Sequence, residues 1–331
     1  MIPQTKLIMV KKSLQNAFGV DEYEDIRMLT AGLSSALVFR IVVKGTPYLL
    51  RIITATDAIN DPTHQFTCMK IAEEAGIAPR IWYMSIKDRI LITDFIEAQP
   101  LSIDEAKVKL ADILHKLHSL PPFPKLVNYF DTVDNFIRNF KAANILPESF
   151  TKELFELYSL VSDAYPRDDK DLVSCHNDLK PENILFDGER TWLIDWEASF
   201  LNDRYVDLAV VANFVVRDDN DEVDYLQRYF KKEVDEYTMA KFFLMRQIVH
   251  MFYFTVFMLL GSSGKTIDPN MEKPDFRNIH HRIWSGEMTL STNEAKLQYA
   301  WAHMQQLLYN MNTNRFKESL HIVSNSRLNK L

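Results

Sequence analysis

Residues 174–197 constrain this chain more than any other stretch. They read Ser174-Cys175-His176-Asn177-Asp178-Leu179-Lys180-Pro181-Glu182-Asn183-Ile184-Leu185-Phe186 and, after a polar turn, Leu193-Ile194-Asp195-Trp196-Glu197. Two short β segments, at 183–186 and 192–194, flank Asp187-Gly188-Glu189-Arg190, so the segment is expected to fold back as a hairpin. Asp178 and Asn183 stand five positions apart, and Asp195 follows twelve later, where a hairpin lets Asn183 and Asp195 face one metal site. Phosphoryl transfer asks for few groups: a carboxylate to orient and deprotonate a hydroxyl, oxygen ligands for Mg²⁺ and a cation over the phosphates. All three occur here.

The remainder of the 331 residues divides at the point where the hydrophobic period changes. Residues 1–98 read as an α+β lobe: a lead helix from Lys6 to Phe18, strands at 37–43 and 48–53 around Lys44-Gly45-Thr46-Pro47, a helix at 63–74 ending at Gly76, and strands at 81–85 and 90–95. From Ser102 the pattern turns helical. Ser102 and Glu105 form a capping box ahead of a stripe through Val108, Leu110, Ile113, Leu114 and Leu117. Residues 99–331 are expected to be mainly helical, with a loop at 261–278 rich in Gly, Ser, Pro and Asp.

Composition narrows the classes. With 47% hydrophobic and 25% charged residues the chain is that of a folded globular protein. A net charge of −7, with Lys and Arg scattered, argues against nucleic-acid binding. The longest apolar run, 248–260, is short of the roughly 20 residues a bilayer requires and reads as a buried helix rather than a membrane insertion. Two cysteines, Cys68 and Cys175, and an amino-terminal segment without a charged-then-apolar signal pattern point to a cytoplasmic setting.

His176 to Asn183, followed by Ile194 to Glu197, resembles the hallmark of the aminoglycoside phosphotransferase and choline/ethanolamine kinase group, small-molecule relatives of protein kinases, and the likeness runs over about residues 20–310. It implies an α+β, bilobal protein-kinase-like fold: a small nucleotide-binding N-lobe with an antiparallel sheet and a larger, mainly helical C-lobe carrying the catalytic loop, metal site and acceptor pocket, with an ATP cleft between them. It also implies ATP and Mg²⁺ as cofactors. Asp178 is then the catalytic base, Asn183 and Asp195 the metal ligands, and Asp207 a brace for the active-site loop. Ser34 and Ser35 fall in a segment that looks like the phosphate loop, Arg51 takes the place of the protein-kinase lysine, and Asp94, Phe95 and Ile96 resemble the adenine-binding hinge. Lys180 would touch the γ-phosphate. The helix position that normally holds a glutamate partner for Arg51 is occupied by Gln65.

On the acceptor side, Glu197, Tyr253, Tyr299 and Trp301 fall near segments that in choline kinases surround a cationic substrate, whereas Val256 and Phe214 stand where that likeness expects a tryptophan and an acidic residue. The expected function is therefore transfer of the ATP γ-phosphate to a hydroxyl of a small molecule, choline, ethanolamine or a similar amino alcohol. An antibiotic O-phosphotransferase shares every catalytic residue, and a non-catalytic nucleotide-binding module is the rival of another class. A protein kinase is disfavoured, because Ile194-Asp195-Trp196-Glu197 replaces Asp-Phe-Gly and no activation loop fits before Asp207. The acidic run Asp218 to Asp224 reads as a solvated face, with attraction of a cationic substrate as the competing reading.

Overall fold

A computed structural model describes residues 2–29, 36–55, 61–167 and 169–328. Ser34 and Ser35 lie outside them. In chain order the elements are α1 (Gln4–Phe18), β1 (Asp25–Leu29), β2 (Ala36–Val43), β3 (Thr46–Ile53), α2 (Thr63–Glu74), β4 (Ile81–Ser85), β5 (Ile90–Asp94), α3 (Ile103–Leu117), α4 (Tyr129–Ala143), α5 (Glu148–Ala164), β6 (Leu172–Cys175), β7 (Ile184–Phe186), β8 (Thr191–Leu193), β9 (Phe200–Asp203), α6 (Arg204–Val215), α7 (Asp219–Phe230), α8 (Glu236–Ser262), α9 (Phe276–Trp284), α10 (Asn293–Met311) and α11 (Asn314–Leu328). They form two compact units, Met1–Leu101 with Glu182–Ser199, and Ser102–Pro181 with Phe200–Leu331. The hairpin at 184–193, expected in the second lobe, thus packs with the first unit.

The first unit is built on a five-stranded antiparallel sheet of order β1-β2-β3-β5-β4. Period-two alternation sends Phe39, Ile41 and Val43 of β2 and Leu50 and Ile52 of β3 into a core with Leu14 of α1, each 1% exposed or less. β1 is a strand that the sequence reading passed over, since Asp-Ile-Arg-Met-Leu alternates weakly. α2 ends at Gly76, whose φ of +68° suits glycine, and the Ile77 N–H returns to the Ala72 carbonyl at 3.0 Å. The β7–β8 hairpin joins this unit through backbone bonds from Leu193 to Ile77 (2.8 Å) and from Gln99 to Phe186 (2.6 Å).

The second unit is helical apart from the β6–β9 pair. α3 opens on its capping box: Ser102 Oγ accepts from the Glu105 N–H at 3.3 Å and donates to the Glu105 carboxylate at 2.6 Å. Its stripe is buried except for Val108, which is 38% exposed. α8 is longer than its apolar run, 27 residues, and long and apolar enough to cross a membrane by length and composition, but 72% of its most apolar window is buried in the fold. Its charged residues survive burial because they are paired. Lys241 meets Asp171 and, at 3.7 Å, Asp203, while Arg246 meets Glu222 at 3.1 Å.

The acidic run proves to be structural. Asp218 caps α7 by accepting from the Asp221 N–H at 2.9 Å, Asp221 pairs with Lys107 and Arg217, and Glu222, 1% exposed, pairs with Arg246 and Arg315.

Candidate active site

In the first unit, Leu50 and Ile52 enter the core, so Arg51 between them projects from the other face of β3. Its Nη1 donates to Asp195 Oδ1 at 2.8 Å and its Nη2 to Glu197 Oε2 at 3.2 Å. Asp195 follows β8 in the left-handed region (φ +66°), and the turn Trp196–Ala198 carries Glu197 round toward the same guanidinium. The Ile194 N–H bonds the Asn183 carbonyl at 3.0 Å, extending the hairpin so that Asn183 and Asp195 flank its open end. Asp195 and Glu197 hold the Arg51 guanidinium.

At the end of β5, Asp94 accepts from Trp82 Nε1 at 2.7 Å, and its N–H bonds the Arg80 carbonyl at 3.0 Å. Phe95 lies under the Arg40 guanidinium, 5.4 Å from the ring centre, and Arg40 also meets Glu97 at 3.7 Å. Ile96 between them is half-buried. This hinge-like segment is therefore fixed by side chains of its own unit.

In the second unit, β6 runs into the loop 176–180. Asp207, fully buried on the first turn of α6, accepts from the His176 N–H at 2.8 Å, the Asn177 N–H at 2.7 Å and His118 Nε2 at 3.1 Å. Behind it, Tyr229 donates to His118 Nδ1 at 2.7 Å and accepts from Arg204 at 3.3 Å. Burial holds the His118 pKa below its usual value despite Asp207, so the ring is neutral with its proton on Nε2. Asn177 adopts φ +64° and its Oδ1 accepts from Asn202 at 2.7 Å. A strained residue clamped by Asp207 and Asn202 delivers Asp178, whose Oδ2 pairs with Lys180 Nζ at 2.7 Å.

His118, Cys175 and Asp207 bring three ligand-type atoms within 4.8 Å of one another. They do not make a metal centre. His118 is committed to Asp207, and burial pushes the Cys175 thiol well up, keeping it protonated.

Tyr253 of α8 and Tyr299 of α10 meet edge to face, 5.6 Å between ring centres, with Phe257 4.9 Å from Tyr299. Burial, then the fields of Tyr299, Asp178 and Asp207, push the Tyr253 hydroxyl well above its usual pKa. Trp301 does not join this aromatic group. Two residues beyond Tyr299 on a helix, it faces away and packs against Phe150 (5.9 Å) and the Lys273 ammonium (5.1 Å). Phe214 meets His280 edge to face, 4.9 Å between ring centres. Sequence reading missed His280 and His303, which pack against Tyr253 and Tyr299, and His250, which packs against His303. The spacings His250/Tyr253 and Tyr299/His303, three and four residues, are the signal that places polar rings on the aromatic faces of two apolar helices.

The model of the phosphotransferase enzyme family matches residues 25–243. The chain belongs to this family. Protein LicA of Haemophilus influenzae is 25% identical over 226 residues, covering 63% of this chain and 62% of that protein, so the match spans less than two thirds of the relative's length. Among solved structures, a choline/ethanolamine kinase family protein from Mesorhizobium loti superposes with a TM-score of 0.65 at 20% identity, over 96% of this chain and 99% of the other. A spectinomycin phosphotransferase in complex with ADP and spectinomycin does so with a TM-score of 0.57 at 16% identity, over 90% and 98%. These likenesses show the fold, an α+β protein-kinase-like architecture with an antiparallel sheet. The family to which the chain belongs is one of phosphotransferases.

Proposed function

We propose that the enzyme transfers the γ-phosphate of ATP to the hydroxyl of a small amino alcohol of the choline or ethanolamine class. The observations that carry this reading are, in the second unit, the clamped loop that presents Asp178 and the edge-to-face aromatic pair Tyr253–Tyr299. Aromatic faces attract an ammonium, each worth about 0.5–2 kcal/mol.

Asp178 accepts the hydroxyl proton as the acceptor oxygen bonds to the γ-phosphorus and the bond to the β-phosphate oxygen breaks, releasing ADP. Lys180 beside it stabilises charge on the transferring group. Arg51 grips the α/β-phosphates with its planar fork, Ser34 and Ser35 supply hydroxyl donors for phosphate oxygens, and the backbone at Phe95 and Ile96 receives the adenine, the Asp94 N–H being committed to the Arg80 carbonyl. The donor set of Asn183 and Asp195 at the hairpin end, all oxygen, suits Mg²⁺, and Glu197 completes that shell. Bound there, the ion would neutralise charge on the β- and γ-phosphates.

The test is an ATP-consumption screen with Mg²⁺ against choline, ethanolamine, related amino alcohols, thiamine and aminoglycosides. Turnover on an amino alcohol, falling by about 10²–10⁴ in Asp178→Ala while ATP still binds, is the expected result. Asp195→Ala should weaken Mg²⁺-dependent nucleotide binding. Turnover confined to aminoglycosides would replace the acceptor assignment, and wild-type turnover in Asp178→Ala would overturn the mechanism.

A further inference from the structure

α8, α9 and α10 gather three imidazoles that the roles above leave unused. His250, His280 and His303 are at most 2% exposed. The His303 ring centre lies 5.1 Å from each of the other two, 4.5 Å from Tyr299 and 4.9 Å from Tyr253. His280 and His303 thus pack on the Tyr253–Tyr299 pair, and His250 backs His303.

Their protons can be assigned. His280 Nδ1 lies 2.8 Å from the Phe276 carbonyl, which only accepts, so His280 carries its proton on Nδ1 and its Nε2 is a bare acceptor. His250 Nδ1 and His303 Nδ1 face each other at 2.9 Å, so one donates and the other accepts. Whichever donates has a bare Nε2, and its partner carries an N–H there. Burial holds all three rings neutral, His280 at a pKa of about 3 and the other two well below their usual value.

All three Nε2 atoms are buried and unpartnered. Together they offer two acceptors and one donor. They do not form a chelating set, since among the described residues the one trio that brings its ligand atoms within 4.8 Å is His118, Cys175 and Asp207.

We propose that His250, His280 and His303 are specificity-determining residues of the acceptor site, selecting a head group that carries N–H donors over a trimethylammonium. The inference rests on the amino-alcohol reading. Aromatic faces attract any ammonium, so by themselves they do not separate choline from ethanolamine. Neutral imidazole acceptors do: an N–H satisfies them, whereas three methyl groups leave them buried and unbonded, and a site built to bond a donor rejects the analogue that lacks it.

The experiment compares kcat/KM along ethanolamine, N-methylethanolamine, N,N-dimethylethanolamine and choline at saturating ATP. The wild type should favour ethanolamine over choline by about tenfold or more, with the largest step at loss of the last N–H. His280→Phe and His303→Phe should flatten the series through the acceptor KM while the KM for ATP holds. A wild-type preference for choline, or folded variants with an unchanged series, overturns the inference. Should the variants fail to fold, imidazole nitrogen resonances of the wild-type protein titrated with ethanolamine and with choline decide the matter. Shifts at the three Nε2 sites with ethanolamine alone support it, and equal or absent shifts overturn it. Ethanolamine-specific shifts without turnover on any of the four alcohols would instead sink the functional reading and leave the binding site standing.

Discussion

Asp207 concentrates three hydrogen bonds on one buried carboxylate, two of them from consecutive backbone N–H groups, so its two oxygens set the backbone that delivers Asp178. An amide at that position keeps one acceptor oxygen and turns an NH₂ toward a donor. Asp207→Asn should therefore cost about 1–3 kcal/mol of stability, seen in a denaturant melt, and lower kcat by about 10²-fold through misplacement of Asp178. Unchanged kcat in the folded variant would show that the clamp does not set the catalytic geometry. This brace was legible because Asp207 follows the motif closely in sequence. Its backing by His118, Tyr229 and Arg204 was not, since those three come from the residue closing α3, from α7 and from the start of α6.

At the level of elements, α3 and α8 respond to different changes. The capping box of α3 is local chemistry, readable from Ser102 and Glu105, and Ser102→Ala should cost about 0.5–2 kcal/mol in thermal or denaturant melts. α8 owes its placement to tertiary contacts. Its Lys241 ammonium, buried between Asp171 and Asp203 and 5.1 Å from the rings of Tyr165 and Tyr205, neutralises two carboxylates whose other partners include Arg204, 3.6 Å from Asp171, and the Tyr165 hydroxyl, 3.0 Å from Asp203. Lys241→Ala should cost about 3–5 kcal/mol, measured the same way, because it strands buried negative charge. Helix existence was clear from apolar periodicity. Helix rotation was not, because α10 is apolar on several sides. Tyr299 and Trp301 look equivalent in sequence and end on different faces, and Val108 belongs to a stripe by period yet stands at the surface.

For the whole molecule, the sign of the pH dependence follows from its buried groups. His118, His250, His280 and His303 have folded pKa values below the unfolded value of about 6.5, so below that pH the unfolded chain takes up protons that the fold refuses. Each removes up to about 1.4 kcal/mol of stability per pH unit on acidification. Asp203 works the other way: burial raises it to about 6, so between that value and the unfolded 3.8 the fold keeps a proton the unfolded chain has shed. The four imidazoles together outweigh Asp203, so stability should fall as the pH drops below about 6. Denaturant melts at several pH values check this, and a flat profile would mean that the imidazoles charge in place. Such a histidine group escapes sequence reading because its members lie on three helices separated by more than fifty residues from first to last. The catalytic motif, contiguous over 174–197, advertises itself.

The first unit is interrupted in sequence: it takes Met1–Leu101, leaves the chain for eighty residues, and regains Glu182–Ser199. No single cut of the gene separates it whole. A fragment ending at Leu101 would lack the hairpin whose backbone bonds to Ile77 and Gln99 complete it, along with the carboxylates of Asp195 and Glu197 that hold Arg51. A fusion or split-protein junction placed near residue 101 therefore severs one folding body from part of itself, and inheritance of this enzyme by recombination must carry both of its ends together.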